Sequence, residues 1–171
     1  MRLWMCAVGF ILLGAMCAEA GPTAPAKEFL TPLEIEKIQD AQEISTRVKL
    51  YLEFAALRLK TAAERLSGKE STPGDPLEFF SVEDMMDGYF RILRAVMMNL
   101  DDASQHPKTD PDKFQEALKS LKLATEAAVR PLAGLKKLAE EKLREEVWNL
   151  VNKSIDVTEA AHEGAVAALK K

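Results

Sequence analysis

Cysteine is nearly absent from this chain of 171 residues, and its two cysteines, Cys6 and Cys17, both lie close to the N-terminus. Beyond them the sequence has no thiol. This excludes structural disulfides, cysteine-ligated metal and haem attached through a C-x-x-C-H motif in the rest of the chain. A domain without such cross-links is stabilised by the packing of its apolar side chains.

Aromatic residues are also few, at 6% of the sequence, and Val, Ile and Thr are sparse beside Ala, Leu, Glu and Lys. This composition favours helix over sheet. Basic residues show no excess, with 23 Lys and Arg against 27 Asp and Glu. We therefore expect no nucleic-acid partner, because phosphate backbones bind basic surfaces. Apolar residues, at 47%, suffice for the core of one domain.

Long hydrophobic runs are missing except at the N-terminus, where residues 3–17 are all apolar or Gly. Arg2 precedes this run and Ala18-Glu19-Ala20 follows it, as in a secretory signal peptide with its cleavage site. The run is shorter than the roughly 20 residues of a membrane-spanning helix. We therefore predict a signal peptide over residues 1–20, a mature chain that starts at Gly21, a secreted or periplasmic location and no membrane span after cleavage.

Two other interpretations of this N-terminus stay open. The apolar run could remain uncleaved as an anchor, although the A-x-A site favours cleavage. Cys17 could carry a lipid, as in a bacterial lipoprotein. Such a signal prefers a large aliphatic residue three positions before the cysteine and a small residue directly before it. Gly14 and Met16 occupy those positions, so the match is poor.

Helix-start signals divide the chain after a flexible, Pro-containing lead-in over residues 21–30. A capping residue, followed in two cases by Pro at the first helical position, occurs at Thr31, Ser45 or Thr46, Ser81 and Asp110. These signals predict a short helix to about Gln42, a second helix to about Gly68 and a third helix to about Ser104. Each long helix carries an apolar stripe at helical spacing.

The C-terminal half of the sequence predicts a fourth helix from Asp110 onward. Pro131 predicts a kink or break in it, because proline lacks a backbone N–H. The helical pattern then continues from Leu132 to about Leu169. We therefore predict an all-α fold over residues 31–171. It is a single antiparallel bundle of about four main helices, with a short N-terminal helix and a long, kinked C-terminal helix.

Few residues of the sequence suggest chemistry. The motifs G-x-S-x-G, S-x-x-K and H-E-x-x-H are all absent, so we predict no catalytic residue and no enzymatic activity. Glu159 and His162 form a Glu-x-x-His pair, which is half of the ligand set of a di-iron bundle. A complete site needs a second such pair and two more glutamates. These two residues are therefore weak metal candidates, and we predict no bound metal and no cofactor.

The last helix carries two apolar stripes. The main stripe contains Leu143, Val147, Leu150, Val157, Ala161 and Ala165, and the second contains Trp148, Ile155, His162 and Val166. Three members of the second stripe recur every seven residues, the spacing of a coiled-coil seam. A second apolar face is buried either because the helix is central in the bundle or because a partner docks there. The second stripe thus supplies the candidate partner-binding residues.

These observations predict an exported, non-enzymatic helical bundle that acts through protein–protein contacts, with an unknown protein partner or with a second copy of itself. The alternative is a periplasmic or extracellular bundle that binds a metal ion or a small apolar ligand between its helices. Helical bundles build such sites from side chains on facing helices.

Overall fold

The computed structural model describes residues 28–170, which form five α-helices and no strand. The helices are α1 (Pro32–Asp40), α2 (Ile44–Leu66), α3 (Val82–Gln105), α4 (Pro111–Glu141) and α5 (Glu145–Ala168). The predicted all-α bundle is therefore confirmed. The predicted signal peptide and residues 21–27 of the predicted lead-in lie outside the described residues. Leu30, at the end of that lead-in, is buried against the bundle.

Side-chain caps start three of the helices where the sequence predicts them. Thr31 Oγ1 accepts a hydrogen bond from the N–H of Glu34 at 3.3 Å, and the Glu34 carboxylate accepts one from the N–H of Thr31 at 2.8 Å. Ser81 and Asp84 form the same reciprocal pair at the start of α3, and Asp110 caps α4. Each cap satisfies backbone N–H groups that lack a partner within the helix.

The start of α2 differs from the prediction. Neither Ser45 nor Thr46 caps this helix, because both lie within its first turn. The residue at the cap position is Glu43, whose side chain accepts no capping hydrogen bond. Ser45 is buried instead. Packing against the other helices, rather than a local cap, therefore stabilises the first turn of α2.

The four long helices are arranged around the core in the order α2, α3, α5 and α4, and α1 packs on α2. Helices that follow one another in the chain run antiparallel. The other two neighbouring pairs, α2 with α4 and α3 with α5, run parallel. The ion pairs of Lys113 with Glu43 and of Lys49 with Glu116 join the starts of α2 and α4. The bundle therefore consists of two helical hairpins, α2–α3 and α4–α5, packed side by side.

The C-terminal region shows the largest difference between the structure and the prediction. Helix α4 continues through Pro131 without a break, and the chain reverses around Leu143. Leu143 has a φ of +53°. The N–H of Arg144 bonds to the carbonyl of Ala139 and the N–H of Leu143 bonds to the carbonyl of Glu140. This is a Schellman motif, whose left-handed position is usually occupied by glycine.

Helix α2 ends in the same motif, but with Gly68 at the left-handed position, at a φ of +96°. A glycine therefore marks the end of α2 in the sequence, whereas nothing marks Leu143 as the end of α4. The prediction that Leu143 lies on the main apolar face of the last helix is wrong. Its side chain is 91% exposed, because the residue belongs to the turn between α4 and α5.

A buried ion pair joins α1 to α2. The Arg58 side chain has no solvent exposure, and its guanidinium donates to the two carboxylate oxygens of Glu34 at 2.8 and 2.7 Å. It also donates to the carbonyl oxygens of Phe54 at 3.1 Å and Phe29 at 2.6 Å. Glu34 thus completes the cap of α1 and neutralises the buried arginine. Such bidentate pairing is among the stronger hydrogen-bonding arrangements in proteins.

Candidate functional site

A cavity of about 460 Å³ lies where α2, α3 and α4 meet. Its walls are mostly hydrocarbon, and small side chains dominate the two helices that face each other across it. The lining residues are Leu52, Ala55, Ala56, Leu59, Lys60, Ala63 and Glu64 of α2, Tyr89 and Leu93 of α3, and Ala124, Thr125, Ala127, Ala128 and Pro131 of α4. Its volume falls within the range of about 300–1,000 Å³ typical of small-molecule sites.

The cavity exists because alanines of α2 face alanines of α4. Ala55 and Ala63 lie on one wall, and Ala124 and Ala128 lie on the other. Protein interiors are normally close-packed, so facing positions combine large and small side chains to fill the space between helices. Alanine on both sides leaves that space open between α2 and α4.

Tyr89 supplies the hydroxyl group on the α3 wall. Its oxygen lies 2.8 Å from Oγ1 of Thr158 on α5. The Thr158 hydroxyl donates its own hydrogen to the carbonyl of Ser154 at 2.6 Å, so Tyr89 is the donor to Thr158. Burial raises the pKa of Tyr89 to about 12, partly offset by this hydrogen bond. The phenol therefore stays protonated, with its hydrogen already engaged.

Thr125 supplies the hydroxyl group on the α4 wall. It donates to the carbonyl oxygens of Leu121 and Lys122 at 2.9 and 2.8 Å. Its oxygen also lies 3.1 Å from Nδ1 of His162. The single hydroxyl hydrogen of Thr125 is thus engaged within the protein, whichever of these three partners accepts it. The hydroxyl hydrogens of both lining residues are thus engaged within the protein.

The rim of the cavity carries two charged side chains, Lys60 and Glu64. Glu64 accepts a hydrogen bond from Nζ of Lys69 at 2.9 Å, and this bond is the main cause that lowers the pKa of the Glu64 carboxyl. Lys60 forms no ion pair with any residue in the described part of the chain. Lys60 is thus the one cation of the lining, and it interacts with Glu64 beyond ion-pair distance, while Lys69 forms the close ion pair with that carboxylate.

The two weak metal candidates lie on α5, outside the cavity lining. Glu159 is exposed, and His162 is half-buried with Nδ1 bonded to Thr125. Across residues 28–170, no group of three or more His, Cys, Asp or Glu side chains is placed to hold a metal ion. The side chain that lies next to His162 is therefore the hydroxyl of Thr125 on α4.

The second apolar stripe of α5 lies partly inside the bundle. All four of its residues, Trp148, Ile155, His162 and Val166, are half-buried. Trp148 and Ile155 contact the core, and Nζ of Lys136 on α4 lies 5.2 Å from the Trp148 ring. His162 also contacts α4, through Thr125. Two of the four residues, Trp148 and His162, therefore contact α4.

No protein-family model, curated protein or solved structure matches the chain. Within the described residues, no helix combines the length and apolar character that a membrane crossing requires. The cavity is not predictable from the sequence, although the repeated alanines at helical spacing on α2 and α4 are the signal that accompanies it.

Proposed function

We propose that this protein is an exported, non-enzymatic helical bundle that binds a small apolar molecule in the cavity between α2, α3 and α4. One observation carries the proposal: an apolar cavity of about 460 Å³ whose two inner hydroxyl groups already donate their hydrogens within the protein. Such a wall gains little from a polar ligand. It gains from an apolar one, because binding removes hydrocarbon surface from water on both sides.

The same observation favours an apolar ligand over the metal ion that the sequence also suggested. Metal ions bind carboxylate, imidazole or thiolate groups, and apart from Lys60 and Glu64 at the rim the lining of this cavity consists of Ala, Leu and Pro side chains with one Tyr and one Thr. The only carboxylate of the lining is Glu64, at the rim, where it is paired with Lys69.

Protein–protein contacts remain the second candidate function. Exposed apolar side chains on the outer side of α4 favour them, since Leu123 is 64% exposed and Val129 is 61% exposed. Single exposed apolar residues are common on monomeric proteins. The stripe that first suggested a docking surface on α5 is half-buried and contacts α4 through Trp148 and His162, so the cavity supports the ligand-binding proposal more directly.

A chain-length series of neutral alcohols tests the proposal. Each methylene that enters the cavity is worth about 0.8 kcal/mol, so the affinity should rise roughly fourfold per carbon until the cavity is full. Isothermal titration calorimetry on the mature protein measures this slope. Absence of binding for every alcohol up to its solubility limit would contradict the proposal.

Filling the cavity provides the matched test. Ala124→Leu adds a bulky side chain to the α4 wall, and Ala133→Leu makes the same change at an exposed position of α4 outside the lining. We expect Ala124→Leu to abolish binding of the alcohols and of a neutral solvent-sensitive dye such as Nile red. Ala133→Leu should bind both as the unchanged protein does. Thermal unfolding of each variant verifies that the bundle is intact.

A further inference from the structure

The charged rim of the cavity indicates what kind of end group its ligand has. Lys60 and Glu64 are four residues apart on α2, a spacing at which opposite charges commonly pair. In this protein Glu64 binds Lys69 instead, at 2.9 Å. Lys60 is consequently left beside the cavity without an ion-pair partner among the described residues.

The other polar side chains of the lining do not offer a donor to a ligand. The hydroxyl hydrogens of Tyr89 and Thr125 bond within the protein. Glu64 is ionised and only accepts hydrogen bonds. The ammonium group of Lys60 is thus the one lining side chain with free donors, and the carboxylate with which it interacts at longer range, Glu64, is bound by Lys69.

We propose that the ligand is a single-chain amphiphile whose end group is an anion, with the chain in the cavity and the anion at Lys60. This inference rests on the proposed function and specifies its ligand class. A volume of about 460 Å³ is in the lower part of the range for small-molecule sites and suits one chain rather than the two chains of a membrane lipid. Charge complementarity with Lys60 selects an anionic end group over a neutral or cationic one.

Three probes with the same ten-carbon chain separate the contribution of the end group from that of the chain. They are decanoate, decanol and decyltrimethylammonium, each used below its micelle-forming concentration at a pH where decanoate is ionised. We expect decanoate to bind tightest to the unchanged mature protein and the cationic probe to bind weakest. The advantage of decanoate over decanol should shrink at high salt, because an exposed charge pair is screened.

Substitution of the lysine assigns the effect to one residue. Lys60→Met keeps the apolar stem and removes the charge, so decanoate should bind about threefold to fivefold more weakly while decanol binding is unchanged. Lys60→Glu should reverse the preference, so that decyltrimethylammonium binds more tightly than decanoate. The control is Lys119→Met, which removes an exposed lysine of α4 that does not line the cavity and should leave all three affinities as they are.

The outcomes distinguish this inference from the proposed function. Equal binding of decanoate and decanol, or an equal loss of both in Lys60→Met, would overturn the anionic end group while the cavity remained an apolar binding site. Failure of all three probes to bind the unchanged protein would overturn the proposed function itself. Selective weakening of decanoate in Lys60→Met, with intact decanol binding, would support both.

Discussion

A Cβ atom at Gly88 of α3 would lie 2.9 Å from Nε and 3.1 Å from Cδ of Arg58. The buried arginine therefore occupies the space that any larger residue at position 88 would need. Arg58 cannot easily move away, because its guanidinium is held by Glu34 and by the carbonyls of Phe54 and Phe29. Glycine at position 88 and arginine at position 58 thus depend on each other.

Gly88→Ala is expected to destabilise the protein by about 1–3 kcal/mol, the usual cost of adding an atom to a filled interior. Urea unfolding of the protein measures the change. The control is Gly164→Ala on α5, where a new Cβ meets nothing within 4 Å. The higher helix propensity of alanine should stabilise this variant by up to about 1 kcal/mol. If Arg58 is the obstacle, Gly88→Ala should cost less in an Arg58→Met background. Equal costs in both backgrounds would contradict the dependence.

Leu143→Gly is expected to stabilise the protein by about 1 kcal/mol. A non-glycine residue in the left-handed region is strained by about 1–2 kcal/mol, and glycine relieves this strain. Glycine also raises the conformational entropy of the unfolded chain, which offsets part of the gain in stability. Leu143 is exposed, so its removal loses little packing. The reciprocal change, Gly68→Ala in the equivalent position after α2, should destabilise by a similar amount. Thermal melts of both variants test the pair, and a destabilised Leu143→Gly would show that the leucine makes a contact worth more than the strain.

Ile155→Ser combined with Val166→Ser tests what covers the second stripe of α5. Because both side chains are half-buried and Ile155 contacts the core, we expect a loss of about 2 kcal/mol in the free energy of unfolding. Sedimentation measured on the same samples should show an unchanged molecular mass. Dissociation of an oligomer with an unaltered melting point would instead identify the stripe as an interface between protein chains.

High pH should destabilise the protein through Tyr89. Burial raises the pKa of this phenol from 10.0 to about 12, so the unfolded state releases the proton first. The stabilisation is complete below pH 10 and is lost as the pH rises toward about 12. Ultraviolet titration of tyrosinate should show one phenol ionising at about pH 12. Tyr89→Phe should remove this late step, whereas Tyr51→Phe, at the chain's other tyrosine, should leave it in place.

The helix starts were the most predictable part of the fold, because a cap is a local signal. Thr31, Ser81 and Asp110 each bond to backbone N–H groups within the next three residues, so the sequence alone contains the whole interaction. The turn between α4 and α5 was not predictable in this way. Leu143 adopts a glycine-like conformation, and Pro131 stands in a helix that the packing of its neighbours preserves.

The cavity was unpredictable for a different reason. Alanines such as Ala55 and Ala128 are ordinary helix formers, and each stripe by itself indicates only a buried face. The open space arises because residues more than sixty positions apart in the sequence face each other across two helices. Lys69 likewise binds Glu64, the carboxylate with which Lys60 would pair at this spacing on the helix. Such relationships depend on tertiary structure and are not local patterns.

The parallel arrangement of α2 and α4 also bears on how the protein folds. Each helical hairpin joins neighbours in the sequence, and contacts at short sequence separation tend to form early in folding. The cavity lies on the seam between the two hairpins, so we expect its walls to be completed only when they dock. A bound ligand would then stabilise a contact that we expect to form late in folding. It should slow unfolding and leave the refolding rate nearly unchanged.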